Sequence, residues 1–120
     1  MRATSQSATE AAFSLLASTP GVLGLCLASR DGLPVLVRWA ELQDVETFVA
    51  MQATALGAAE IAVSKRSAGS KVSVVVQDGG TRHVVVGVDR ELFVILWAER
   101  SLSIDACLDE IAEFAQRLHG

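Results

Sequence analysis

The chain has 120 residues, of which 51% are hydrophobic and 20% charged, with a formal net charge of -4. That length fits one domain spanning residues 1–120, and a mean hydropathy of +0.40 is high for a small body with much surface to keep wet, so an oligomer or a partner is expected to cover apolar area. The acidic balance argues against nucleic acid, whose phosphates need a concentrated basic face, and the absence of a run of 18 apolar residues argues against membrane insertion.

Ser7-Ala8-Thr9-Glu10 has the pattern of a capping box, with Ser7 as the cap and Glu10 reaching back. Ala8, Ala12, Leu15 and Leu16 then form a helical stripe that Thr19-Pro20-Gly21 ends. Residues 22–28 alternate as a strand. Leu23, Leu25 and Leu27 lie on one face, and Gly24, Cys26 and Ala28 lie on another with so little bulk that a helix could approach it or a ligand pocket form beneath it. Arg30-Asp31-Gly32 is a tight turn into a second strand at 33–39, with Pro34 placing its early residues at an edge or outside the ladder.

Residues 44–66 read as a helix with two apolar faces, capped by Asp44. At about 100° per residue, Val45, Val49, Leu56 and Val63 share the arc expected on a sheet. Met51, Ala55, Ala58 and Ala62 share an adjacent arc, with Phe48 and Ala59 between the two, and Glu46, Glu60 and Ser64 mark a solvated arc. Gly57 in its interior either permits a close approach or is simply tolerated, at about 1 kcal/mol relative to alanine. Lys65 and Arg66 are read as a solvated helix end.

Three strands follow, at 71–77, 81–88 and 92–98, joined by Asp78-Gly79-Gly80 and Asp89-Arg90-Glu91 as antiparallel hairpins. The last is bulky on both faces, which marks a central strand. A final helix starts at the Ser103 cap, with Ile104, Leu108, Ile111, Ala115 and Leu118 as its stripe. The expected fold is α+β: a five-stranded antiparallel sheet, order α-β-β-α-β-β-β-α, with helices on both faces.

Signals of catalysis are weak. His83 and His119 have no Asp or nucleophile beside them in sequence, and no loop of the phosphate-cradling type is present. Cys26 and Cys107 lie in apolar segments without metal-type spacing, so buried free thiols in a reducing cytosol are the expectation. The N-terminus lacks the layout of a signal peptide, which points to a cytoplasmic protein. No catalytic, metal or cofactor-binding residue is assigned. Trp97, closing an apolar strand, is expected in the core, whereas Trp39, at the end of its strand, is a candidate partner contact.

Pro20-Gly21-Val22-Leu23-Gly24 entering the first strand, Ser29-Arg30-Asp31-Gly32-Leu33-Pro34-Val35 turning into the second, the Ala-rich middle helix and the Asp-Gly-Gly hairpin together resemble the roadblock/dynein light-chain family across nearly the whole chain. The resemblance implies the middle helix on one face of the sheet and the terminal helices on the other. It also implies a dimer, with itself or a relative, in which middle helices pack together and third strands pair. Members of that family have no catalytic residues of their own; they scaffold or regulate small Ras-like GTPases or serve as adaptor subunits of motor complexes. Bacterial members of the polarity-regulating type stimulate the GTPase by repositioning its own residues.

The residues supply a physical reason for a dimer. A strand at 72–77 without central charge or proline would be an open edge unless paired. Phe48, Met51, Ala55, Ala58, Ala62, Val72, Val74 and Val76 are therefore the expected dimer interface. The expected function is a homodimeric regulator or scaffold of a small Ras-like GTPase, not an enzyme. The alternative is an adaptor or small-ligand-sensing module that acts on no GTPase.

Overall fold

The computed structural model describes residues 6–119. Its elements are α1 (Gln6–Ala17), β1 (Val22–Ser29), β2 (Pro34–Arg38), α2 (Val45–Ser64), β3 (Ser73–Asp78), β4 (Thr81–Gly87), β5 (Leu92–Glu99) and α3 (Ile104–His119). The five strands form one antiparallel sheet in the order β2-β1-β5-β4-β3. β5 is central, as its two bulky faces require: Phe93, Val94, Ile95 and Leu96 are all fully buried. Each such side chain is worth about 1.5–3 kcal/mol of burial.

Alternation along the strands divides the core in two. Leu25, Leu27, Val84, Val94, Leu96 and Ala98 meet Phe13 and Leu16 of α1 and Cys107, Ile111, Phe114 and Leu118 of α3. Cys26, Ala28, Val85, Phe93 and Ile95 meet Val49 and Leu56 of α2. The middle helix thus covers one face and the terminal helices the other.

Local signals hold at two helix starts. Asp44 accepts the Thr47 N–H on Oδ1 at 3.4 Å, and Ser103 Oγ accepts the Ala106 N–H at 3.0 Å. The Ser7 cap is not observed. Gln6 is already helical and its side-chain amide donates to Glu10 at 3.3 Å, so Ser7 stands inside α1 and Glu10 is turned to another partner. The buried arc of α1 is Ala12, Phe13 and Leu16, while Leu15 is exposed, because the helix must face α3 as well as β1.

The small face of β1 is covered in two ways, by an indole at Gly24 and by α2 at Cys26 and Ala28. A Cβ on Gly24 would fall 2.6 Å from the indole of Trp39, which follows β2 and folds over that spot. Trp39 stacks on Trp97 with ring centroids 5.2 Å apart and planes 7° from parallel, and meets the ring of Phe48 edge-on. Phe48 in turn touches the edge of His83, whose Nε2 is hydrogen-bonded to Gln52 Oε1 at 3.2 Å. One aromatic column therefore ties the loop after β2, β5, β4 and α2 together. Cys26 and Ala28, further along β1, are fully buried beneath α2, so the suggested ligand pocket is filled by protein.

A polar clamp fixes α2 on its other flank. Arg30, just beyond β1, donates through Nη1 to Glu60 Oε1 at 2.8 Å and through Nη2 to the Asp89 carbonyl at 3.0 Å. Glu60 is thus part-buried and paired, not solvated. The Arg30 guanidinium lies over Gly87, in the space a Cβ there would take. Asp89 also accepts the N–H groups of Glu91 and Leu92 on Oδ1 and lies 3.0 Å from His119 Nε2 through Oδ2. His119 does therefore have an aspartate beside it, brought there by the fold and used to pin the end of α3 on the β4–β5 turn. Gly57 has nothing within 4 Å of its missing Cβ, so no contact within the chain requires it.

Gly24→Ala is expected to unstack Trp39 from Trp97 and to cost about 1–3 kcal/mol of stability, read from urea unfolding and from loss of near-ultraviolet tryptophan dichroism. A variant of unchanged stability and dichroism would contradict the stacking. Burial holds His83 below its ordinary value of 6.5, with the Asp78 charge opposing the shift. The unfolded chain thus takes up this proton at higher pH than the fold does, so the stabilisation is complete above about 6.5 and declines as pH falls through that value toward the lower folded one. Stability should drop less between neutral pH and pH about 5 in His83→Gln than in the wild type, measured by denaturant midpoints; equal slopes would remove His83 from the account.

Candidate functional site

Of the twenty residues of α2, only Val49 and Leu56 are fully buried. The helix is long and apolar enough to span a membrane by length and composition alone. Met51 is 64% exposed and Ile61 63%, and Ala55, Ala58 and Ala62 are exposed as well. Its sheet-facing stripe is as expected from sequence, with Val45 and Val63 half-buried beside the two core residues.

The contacts of α2 show which way its second apolar face looks. On one flank Ala50 and Ala53 approach Gly32 in the β1–β2 turn, and Glu60 holds Arg30. On the other, Phe48 and Gln52 reach His83 of β4. Met51, Ala55, Ala58 and Ala62 continue around the helix from Phe48, away from β1. They therefore look outward on the side of the sheet that ends in β3.

β3 is the terminal strand of that side and pairs only with β4 among the described residues. Its outer edge carries N–H and C=O groups with no strand beside them. Val74 and Val76 fall on the α2 face of the sheet, opposite Val85 and His83, and Val76 is 38% exposed. Val75 points to the opposite core. The strand begins at Ser73, not Lys71, so half-buried Val72 lies just ahead of the ladder. The fold thus brings the seven other expected interface residues, from Phe48 to Val76, to one border of the domain, with Val72 at its margin. Trp39 is half-buried, stacked in the aromatic column, lying over Gly24 and packed against the core beneath α2.

Two exposed apolar features were not anticipated. Ile61 lies on α2 next to the Ala58 arc, and a large aliphatic residue left off both assigned stripes was the available signal. Leu33, Val35 and Val37 project from the opposite sheet edge, 60%, 51% and 40% exposed; alternation along β2 could have revealed them.

Sites for chemistry are sparse. No group of three or more His, Cys, Asp or Glu side chains that could hold a metal occurs among the described residues. Cys26 and Cys107 are free and fully buried on opposite faces of the sheet. Burial pushes the Cys26 thiol up to about 12 and raises Cys107, where the Arg82 charge partly offsets it, so neither is a ready thiolate. The hollow on α2, lined by Glu46, Thr47, Ala50, Met51 and Thr54, is shallow and open.

Comparison with known structures places the fold. A Roadblock/LC7 domain from Streptomyces avermitilis superposes with a TM-score of 0.79 at 20% identity, covering 90% of this chain and 92% of that one. MglB of Myxococcus xanthus gives 0.81 at 10% identity, covering 92% and 90%. A profilin from Acanthamoeba castellanii, at 0.62 and 13% identity over 94% of each chain, has the same arrangement of sheet and helices. The comparison with curated proteins gives no match. The model of the Roadblock/LC7 domain matches residues 8–96, from the first helix into the central strand, and the chain belongs to that family.

Proposed function

We propose that this Roadblock/LC7 protein is a cytoplasmic, non-catalytic homodimer that regulates or scaffolds a small Ras-like GTPase. The observation that carries the dimer is the outward apolar flank of α2 beside an open β3 edge whose centre, Val74 to Val76, has no charge. Pairing two β3 edges satisfies backbone groups and covers Met51, Ala55, Ala58 and Ala62 in one event. An interface of about 1,600 Å² at about 25 cal/mol per Å² of apolar area leaves ample gross gain before association entropy is subtracted. Membership of the family supports the regulatory role. The role of that family in scaffolding or regulating small Ras-like GTPases, which the resemblance implies, supports a GTPase as the partner.

Such a regulator needs no acid, base or nucleophile of its own. A rigid paired surface can hold a partner's switch segments in the conformation that hydrolyses or signals, an effect that depends on differential affinity for the nucleotide states. The dimer is therefore expected to retain GTP-loaded GTPase in preference to the GDP-loaded form when candidates encoded near it are tested by pull-down and by hydrolysis rate. Failure of every candidate to bind or to change rate would leave the adaptor reading in its place.

Ala58→Arg places two cations at the centre of the proposed interface and should weaken association about 100-fold or more, seen as monomer by sedimentation. Val76→Lys tests the edge and is preferable to a charge at Val74, which packs against the core beneath α2. An unchanged dimer in both variants would refute this interface.

A further inference from the structure

Resting on the homodimer proposed above, we infer that charges at the two ends of α2 latch two copies in antiparallel register, with Asp44 of each chain against Lys65 and Arg66 of the other. A two-fold axis can relate identical helices in parallel or antiparallel fashion. The exposed stripe Met51, Ala55, Ala58 and Ala62 is symmetric about the point between Leu56 and Gly57. Antiparallel pairing sets Met51 over Ala62 and Ala55 over Ala58, a long side chain into a small one. Parallel pairing sets Met51 on Met51 and stacks each charged end on its own like.

Distances agree. Lys65 lies about 13 Å and Asp44 about 19 Å from the midpoint along a helix rising 1.5 Å per residue. The offset of about 6 Å is the reach of a lysine or arginine stem. Asp44 is the residue just before α2, Lys65 and Arg66 are the two just after it, and all three are exposed. Within the chain Asp44 caps the Thr47 N–H through one oxygen, and a carboxylate accepts further bonds. The side chains of Lys65 and Arg66 have no ion pair among the described residues. Glu46 beside Asp44, and Lys71 beyond Arg66, reinforce the same polarity.

The latch makes the helix self-complementary, so a relative without acid at the start and base at the end of its middle helix pairs less well. Sedimentation equilibrium of the full chain tests it at about 50 mM and about 500 mM salt. The wild-type dimer should weaken about tenfold at the higher salt. Lys65→Glu/Arg66→Glu should weaken it about tenfold at the lower salt and abolish most of the salt dependence. Asp44→Asn keeps a capping side chain that tolerates the left-handed backbone at φ 48°. In that background the Lys65→Glu/Arg66→Glu reversal should cost much less than in the wild type, with thermal unfolding confirming that each variant is folded. A tight dimer indifferent to salt and to the reversal overturns the latch and leaves the homodimer standing. A wild-type chain that is monomeric throughout overturns the dimer and the latch together.

Discussion

A twenty-residue apolar helix that buries only two of its residues completely is the constraint on which the rest of the structure turns. Hydrophobic burial normally holds a helix on a sheet, but Val49 and Leu56 alone are a narrow seam. α2 is kept in place by additional devices at both flanks: the Trp39, Trp97, Phe48 and His83 column at one end, and the Arg30–Glu60 pair toward the other. Those devices fix the helix without using its outward face. They also separate it from a membrane span of similar length, since a span would have to give up the bonds of Glu60 and Gln52 to the sheet.

The β4–β5 turn is where the two layers of helix are joined. Asp89 offers its carbonyl to Arg30, which holds α2, and its carboxylate to the turn N–H groups and to His119, which ends α3. Neither bond is strong by itself, since Glu60 and His119 remain partly open to water. Their value lies in geometry. They tie α2 and α3 to one turn of the sheet.

What was legible in the sequence was what local periodicity and charge encode. Two bulky faces identified β5 as central, Asp44 and Ser103 announced their helices, and Val45, Val49, Leu56 and Val63 marked the stripe of α2 that meets the sheet. What was not legible depends on residues far apart in the chain. A small face on β1 fits an approaching helix as well as an incoming indole, and only the fold shows that Trp39 covers Gly24 while α2 covers Cys26 and Ala28. Glu60 falls on a polar arc, and nothing local reveals that Arg30, thirty residues earlier, reaches it. Ser7 shows the converse: a good local pattern loses when the helix continues through it.

Geometry links the two halves of the candidate surface more tightly than either alone. A two-fold axis lying in the sheet would place the two α2 helices on opposite faces of a shared sheet. Only an axis normal to the sheet lets the helices meet while the strands pair, and it makes both pairs antiparallel. With strands about 4.8 Å apart, that axis runs about 2.4 Å beyond β3 and about 7 Å beyond β4. Helices with alanine at the contact pack about 8 Å apart, so each must lie about 4 Å from the same axis, above the gap between β3 and β4. α2 neighbours those two strands, with Phe48 and Gln52 resting on His83 of β4. In the dimer proposed above, a paired strand and a paired helix would jointly require α2 to lie toward the β3 border, whereas within the chain it also packs on Cys26 and Ala28 of β1 and on Phe93 and Ile95 of β5.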